Sequence, residues 1–346
     1  HNIAIVAIDS AGNVSDTSNT VSITVDLEDP DAPTGVDLKD DSDTGLSISD
    51  DKTNDVTPEF TFSGVTSTDS VFIVTTQDSN TDTVGSGLAS STSIDMTTSD
   101  LSVVPISYND GSITIKGYAM DIAGNTSDIS ASASLIITLD TSEPTAPTSV
   151  VLQSGSDSGI STTDRLTNDT TPTFTIEGVT STDSVLLIID GSTASSGIAS
   201  STSIDLNISS VLTDGSYTVS TQTIDVAGNI STATVSDTLL RIDTQAPSKP
   251  SAPDLQASSD SGFLDTDNVT NITTPVFNLT GLSSTIDSLA LFVDGISNTD
   301  SIMSQINSST LRLENALIHG VHNIAIVAID SAGNVSDTSN TVSITV

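Results

Sequence analysis

The sequence predicts an all-β chain of tandem seven-stranded, immunoglobulin-like β-sandwiches, and three observations carry that prediction. First, the pattern Asp-x-Ala-Gly-Asn occurs four times, at 9–13, 121–125, 225–229 and 330–334. Second, a short apolar run precedes each copy and a Ser/Thr-rich alternating run follows it. That is the appearance of a strand, a tight loop carrying one carboxylate, and a return strand. Third, the copies are separated by domain-sized steps, so the chain reads as an array of β modules rather than one large fold.

Within each period the elements follow in a constant order. After a proline-containing linker comes a first strand and then an acidic loop: Asp40-Asp41-Ser42-Asp43-Thr44-Gly45, Ser156-Asp157-Ser158-Gly159 or Ser259-Asp260-Ser261-Gly262. Asp50 and Asp51, Asp164, and Asp265 and Asp267 trail behind these loops. A Thr-Asn pair (53–54, 167–168, 270–271) and a proline (Pro58, Pro172, Pro275) lead into a strand whose alternating positions are Phe60 and Phe62, Phe174 and Ile176, Phe277 and Leu279. One buried face and one polar face are expected there. A Gly-to-Asp turn (64–69, 178–183, 281–287) precedes a more apolar central strand at 71–74, 185–189 and 289–293. Asp78, Asp190-Gly191 and Asp294-Gly295 mark the next turn. Weaker strands surround Ile94, Ile204 and Leu311, and Asp110-Gly111 or Asp214-Gly215 turns into the strand that bears the recurring loop. About seven strands per period make an antiparallel sandwich the natural solution. The Cys and Trp hallmarks of antibody domains are absent, so strand number and period carry the inference.

The expected organisation is a two-strand fragment at 1–25 and three domains at 26–139, 140–242 and 243–346. Residues 1–25 repeat residues 322–346 letter for letter. Two strands cannot bury a core by themselves, so this fragment is expected to be the tail of a truncated domain or to be completed by another chain. The linkers, opening at Asp26, Asp140 and Asp243, are short and extended, because proline fixes φ and removes a donor.

Composition narrows function. The 346 residues include 45 Asp and Glu against 7 Lys and Arg, a net charge of −38, with aromatics at 3% and no cysteine. A chain without a basic face is a poor partner for nucleic acid. No apolar run is long enough to cross a membrane, and insertion by this segment is not expected. Without Cys there is no disulfide or thiol chemistry. The only histidines are at 1, 319 and 322, of which His319 and His322 read as turn and strand filler. A nucleophile–His–acid set therefore has no candidate, and a carboxylate pair for glycoside hydrolysis would lack the aromatic platforms of a sugar cleft. An enzyme is not expected.

The surplus of Asp points instead to cations. Two carboxylates about 4 Å apart repel by roughly 4 kcal/mol at an effective dielectric near 20. In a seven-stranded sandwich the loop after strand one lies at the pole facing the following domain. The loop after strand six lies at the opposite pole, beside the incoming linker. Topology thus gathers three acidic segments at every junction. The candidate ligands are Asp41, Asp43 and Asp50, Asp157 and Asp164, and Asp260 from the strand-one loops. The linkers add Asp26, Asp29, Asp140, Glu143 and Asp243, and the recurring loops add Asp9, Asp121, Asn125, Asp225, Asn229, Asp330 and Asn334. Asp51, Asp183 and Asp287 are further candidates at the same places. Calcium takes six to eight hard oxygens in adaptable geometry, which Asp, Asn, Ser and backbone carbonyls supply, whereas zinc would want His or Cys. The competing expectation for each recurring Asp is a simple turn cap. Asp78, Asp190 and Asp294 read as plain turns.

The "DxAGN" loops, the "SDSG…TN…P.F" segments and the "D…PxAP" linkers together resemble the bacterial Ig-like modules of giant type I-secreted adhesins, over the whole chain. The recurring loop is also similar to the "AxDxG" of cadherins, where such an Asp binds calcium between domains. The resemblance implies a secreted, surface-retained, monomeric rod on a bacterial cell, stiffened by calcium at its junctions and contributing to virulence. Adhesion, for example to host cell-surface glycans, would be assigned to other modules. The alternative is that this segment is itself a ligand-binding module, for glycans or for its own kind. The third linker departs from the pattern, since Gln245 stands where a Glu is expected.

Overall fold

The computed structural model describes residues 1–103, 108–236, 239–282, 288–304 and 309–346, with the backbone alone at 297–304. Asp287 lies outside the described residues. The chain separates into two compact units, residues 1–144 with 224–230, and residues 145–223 with 231–346. The described residues form strands, turns and loops, with no helix long and apolar enough to cross a membrane.

The first unit holds one sandwich. Its smaller sheet has the order Gly35–Leu38, Glu59–Ser63, Ser93–Thr97, all antiparallel. Its larger sheet runs Lys52–Thr53, Ser134–Leu139, Gly111–Met120, Ser70–Gln77, Asn80–Leu88. The alternation visible in the sequence is the alternation of burial. Phe60 and Phe62 are fully buried and face Ile73, Ile113, Ile115 and Ile137 of the other sheet, while the residues between them face solvent or partly so. The core is thin because few aromatics are available, so each Phe carries much of it; fully burying one contributes about 1.5–3 kcal/mol.

The first strand is split between the sheets. Gly35–Leu38 belongs to the small sheet, the acidic loop follows, and Lys52–Thr53 then pairs parallel with Ser134–Leu139 of the large sheet. The acidic loop is therefore the crossover between two halves of one strand. Its tip is exposed, but Ser42 and Asp43 are buried, so the loop is not wholly a free surface turn.

The second unit repeats this plan twice. Ser149–Leu152, Thr173–Glu177 and Ser203–Asn207 form one sheet around Phe174 and Ile176. Ser184–Ile189 is the central strand between Ser192–Ile198 and Val219–Ile224, and Leu166–Thr167 pairs parallel with Leu240–Ile242. In the last repeat Asp254–Leu255, Val276–Asn278 and Thr310–Arg312 face Ile296–Ser304, Ser288–Val293, Val321–Ile329 and Val342–Thr345 across Phe277, Leu289, Leu291, Ile324 and Ile326.

His322 is not filler. It is buried, with Nδ1 2.8 Å from Asp294 Oδ2 and Nε2 2.8 Å from the Ile318 carbonyl. Both partners are acceptors, so both ring nitrogens donate and the imidazolium is the form that fits. The Ile318 carbonyl and then the Asp294 carboxylate raise its pKa above 6.5. The Asn323 amide and then His322 lower that of Asp294. The turn at Asp294 is thus tied to the strand that bears the last recurring loop.

Two outcomes are expected. Phe174→Ala should cost about 3–5 kcal/mol through transfer and cavity terms. Hydrogen exchange should show it, with protection lost at 173–177 and retained at 59–63. The His322 contribution is fully present below pH ~6.5 and is lost as pH rises through its raised folded pKa. Thermal melts of the last repeat should therefore fall with increasing pH, and His322→Gln should remove that slope.

Candidate functional site

Each recurring loop is closed by its own Asp. In the 121–125 copy the Ala123 and Asn125 amides donate to Asp121 Oδ1 at 2.8 Å, and Asn125 Nδ2 donates to Oδ2 at 2.8 Å. The same bonds hold Asp225 with Ala227 and Asn229, and Asp9 with Ala11 and Asn13. Asn334 bonds Asp330 in the same way. This is the work of a turn cap: a short carboxylate satisfying amides that a tight loop leaves over. The Asn125 side chain and the loop amides hold the Asp121 carboxyl below its usual range.

The Asn of the loop then reaches the linker. Asn125 Nδ2 lies 3.3 Å from the Asp26 carbonyl, Asn229 Nδ2 2.8 Å from that of Asp140, and Asn334 Nδ2 2.8 Å from that of Asp243. The linker Asp thus meets the loop through its backbone. Its carboxylate caps the linker itself, accepting from Glu28, Ser142 or Gln245 amides. A second anchor was not legible as such in the sequence. Asp110 accepts from the Thr141 amide and hydroxyl and from the Ser142 hydroxyl, and Asp214 does the same for Thr244 and the Gln245 side chain. Gln245 therefore takes the place of Ser142, not of Glu143, which is exposed. Asp29 is exposed too.

Two copies of the loop are docked and two are not, which makes an internal comparison. In the first unit the Thr44 hydroxyl donates to the Ala227 carbonyl at 2.6 Å, and in the second the Ser158 hydroxyl donates to the Ala332 carbonyl at 2.6 Å. The Thr-Asn pair aims these hydroxyls, since the Asn54 and Asn168 amides each donate to them at 2.9 Å. Ala227 and Ala332 are 1% exposed, and Asp225, Asn229, Asp330 and Asn334 are buried with them, whereas Ala11 and Ala123 are exposed. The contact is backbone against backbone. Gly45 and Gly159 have φ of +95° and +97°, and a Cβ on them would lie 2.2 Å from the Val226 carbonyl oxygen and 2.0 Å from that of Ser331. No side chain fits there.

The strand-one loops hold a different carboxylate. Asp43, Asp157 and Asp260 are buried at 2%, 2% and 4% exposure. In each, Oδ2 accepts the amide of a residue with positive φ, namely Asp51, Arg165 and Asn268. In each, Oδ1 is buried with no hydrogen-bond partner. An orphaned buried oxygen costs about 1–3 kcal/mol, more when charged, and here it recurs at the same place in all three repeats. Burial pushes the Asp157 carboxyl up; burial and then Asp43, Asp37 and Asp50 do so for Asp51. Asp41 and Asp164 are exposed, and Asp50 pairs with Lys52 at 3.3 Å.

One residue was missing from the sequence-derived set. Asp69 is 5% exposed, and burial followed by the Asp121 charge raises its pKa. Thr68 before it has φ +86°, and so does Thr182 before the equally buried Asp183. For a β-branched residue that conformation is costly, of order 1–3 kcal/mol, so the fold holds these turns in place against strain. The recurrent Ser-Thr-Asp ending of the turn is the signal that points to it. Among the described residues no three Asp, Glu or His side chains converge closely enough to hold an ion alone. A cation at these loops would have to draw on carbonyls, hydroxyls and Asn as well as carboxylates. That donor set suits calcium and does not suit zinc.

The docking contact is directly testable. Gly159→Ala should open the 331–333 loop, seen as faster hydrogen exchange at Ala332 and Gly333, while Gly155→Ala, with nothing within 4 Å and no positive φ, should leave exchange there unchanged.

Among solved structures, the FN1–FN3 domains of chicken CNTN1 align at 13% identity over 91% of this chain and 98% of that one, with a TM-score of 0.36. The tetra-tandem repeat in the extending region of a large adhesion protein aligns at 19% identity over 99% and 80%, with a TM-score of 0.24. Fibronectin(III)-like modules of Clostridium thermocellum CbhA align at 15% over 57% and 94%, with a TM-score of 0.38. No curated protein sequence matches. The family model described as bacterial Ig-like domain matches residues 31–141, 144–244 and 246–346, so the chain belongs to the bacterial Ig-like domain family as three consecutive repeats.

Proposed function

We propose that this chain is a structural stalk segment of a secreted bacterial cell-surface adhesin, whose repeats are held in line by calcium. Consecutive bacterial Ig-like repeats support a structural role and an extracellular setting. Within that class, the motifs resemble those of the giant non-fimbrial adhesin of Salmonella. The reading makes adhesion a property of the whole protein and extension the task of this part.

The observation that carries the calcium reading is the orphaned carboxylate oxygen of Asp43, Asp157 and Asp260. A fold that buries the same unpaired acceptor three times needs something to satisfy it, and net charge −38 favours a cation over further acceptors. Asp69 beside Asp121, with Asn125 and the Asp26 carbonyl, is a second place where oxygens gather next to a desolvated carboxylate. An ion there would supply charge neutralisation. The chain's own residues supply the oxygens and bind the linker to the loop. Ligands drawn from several loops come together in only one arrangement of those loops, so an ion that needs all of them shifts the ensemble toward it. At 100 times its Kd the ion adds about 2.7 kcal/mol per site.

Small-angle X-ray scattering and thermal melts with calcium and with EGTA test this. Calcium should lengthen the maximum dimension and raise the melting temperature; identical curves in both conditions would reduce the Asp loops to ordinary turns. Asp69→Asn separates the effect of the charge from that of the ion. In EGTA it removes a desolvated charge beside Asp121 and should raise the melting temperature, while in calcium the increment due to the ion should shrink.

A further inference from the structure

The residue held by the buried crossover Asp differs between repeats, although its backbone does not. Asp51, Arg165 and Asn268 donate their amides to Asp43, Asp157 and Asp260 at 3.2, 3.2 and 3.0 Å. Their carbonyls accept the Thr138, Arg241 and Thr345 amides of the last strand, each at 2.8 Å. Their φ angles are 58°, 59° and 56°. With both backbone groups and the dihedral shared, the three side chains leave the backbone at the same place in each sandwich.

Arg165 shows what that place offers a side chain. Its guanidinium donates to the Val150 carbonyl at 3.1 Å and to the Ser236 hydroxyl. It therefore straps the first strand of one sheet, Ser149–Leu152, to the segment after Thr234–Val235 of the other. The groups it meets are oxygens, and a fixed positive charge with several donors suits them.

In the first repeat an acid stands there instead. Asp37, Asp43, Asp50 and Asp51 correspond to Val151, Asp157, Asp164 and Arg165. Lys52 pairs with Asp50 at 3.3 Å. Among the described residues no hydrogen bond or ion pair reaches the carboxylate of Asp37 or Asp51. Asp51 is partly buried and feels the charges of Asp43 and then Asp37. Asp43 adds its own unpartnered Oδ1, in a side chain 2% exposed. A carboxylate has no donor to give, so it joins another carboxylate or a carbonyl through a cation or a proton. The second repeat carries its cation covalently at this place, and the first does not.

We infer that the first repeat takes a divalent cation between Asp51 and Asp37, next to Asp43, and that Arg165 is the built-in substitute for that cation in the second repeat. The inference rests on the cation reading above and assigns it unequally among the repeats. The first crossover binds most tightly and the second least. The third lies between them, since Asn268 is uncharged and Asp254 already accepts from Asn278 at 3.4 Å. Calcium fits the first site, because it accepts hard oxygens in an adaptable number and arrangement.

Equilibrium dialysis of the full chain against calcium tests this with three variants. Asp51→Asn copies the third repeat and keeps a residue suited to positive φ. It should weaken the tightest site about tenfold or more, as expected when a charged ligand is lost. Asp37→Asn, at an exposed position, should weaken the same site without touching the backbone bonds of residue 51. Val151→Asp with Arg165→Asp copies the first repeat into the second and should add a tight site. Binding unchanged by both single variants would overturn the inference while leaving calcium at the other loops. A double variant that gains no site would overturn the role given to Arg165. A wild-type chain that binds no calcium would remove the cation reading itself, and this inference with it.

Discussion

The constraint on which the rest depends is the approach of two backbones at Gly45 and Gly159. There a strand-one loop and a recurring loop meet more closely than any Cβ allows. Everything nearby serves that contact. The Asp of the recurring loop satisfies its spare amides, which keeps the loop narrow, and the Ala adds little bulk. A hydroxyl held by the Thr-Asn pair makes a direct polar bond across the contact in both docked copies. A hydrogen bond of this kind is worth about 0.5–1.5 kcal/mol net, so its value lies in setting the register of the two loops.

The same economy explains the acidic crossover. Splitting the first strand between two sheets forces a loop through the edge of the core, and a buried Asp organises it by bonding an amide eight residues on, at a position of positive φ. One oxygen does this and the other is left without a partner. A purely structural Asp could have been an Asn, whose spare group carries no charge. Retention of the carboxylate in all three repeats is what makes the position chemically suggestive.

Exposure in the two undocked copies shows how much of the geometry depends on a neighbour. The loop at 121–125 has the same internal bonds as its docked counterparts but leaves Ala123 in solvent. The loop's internal bonds are thus the same with and without a docked neighbour. This is the behaviour expected of repeat arrays, whose stability is a sum of unit and neighbour terms.

The sequence by itself determined the all-β class, the repeat period, the alternation of Phe60 and Phe62 and its counterparts, and the meeting of strand-one loop with recurring loop. Those follow from periodicity and from the rule that successive loops of a sandwich alternate between its poles. Only the tertiary structure decided which atoms do the work. The recurring Asp faces its own loop, the linker Asp contributes a carbonyl, and Asp43, Asp157 and Asp260 bury an unpaired oxygen. Asp69 joins Asp121, and His322 becomes a clamp. Composition places a carboxylate on a loop, but a χ angle decides whether it points at its own backbone or away from it, and that choice depends on which neighbouring amides and charges the folded chain brings within 3 Å or so.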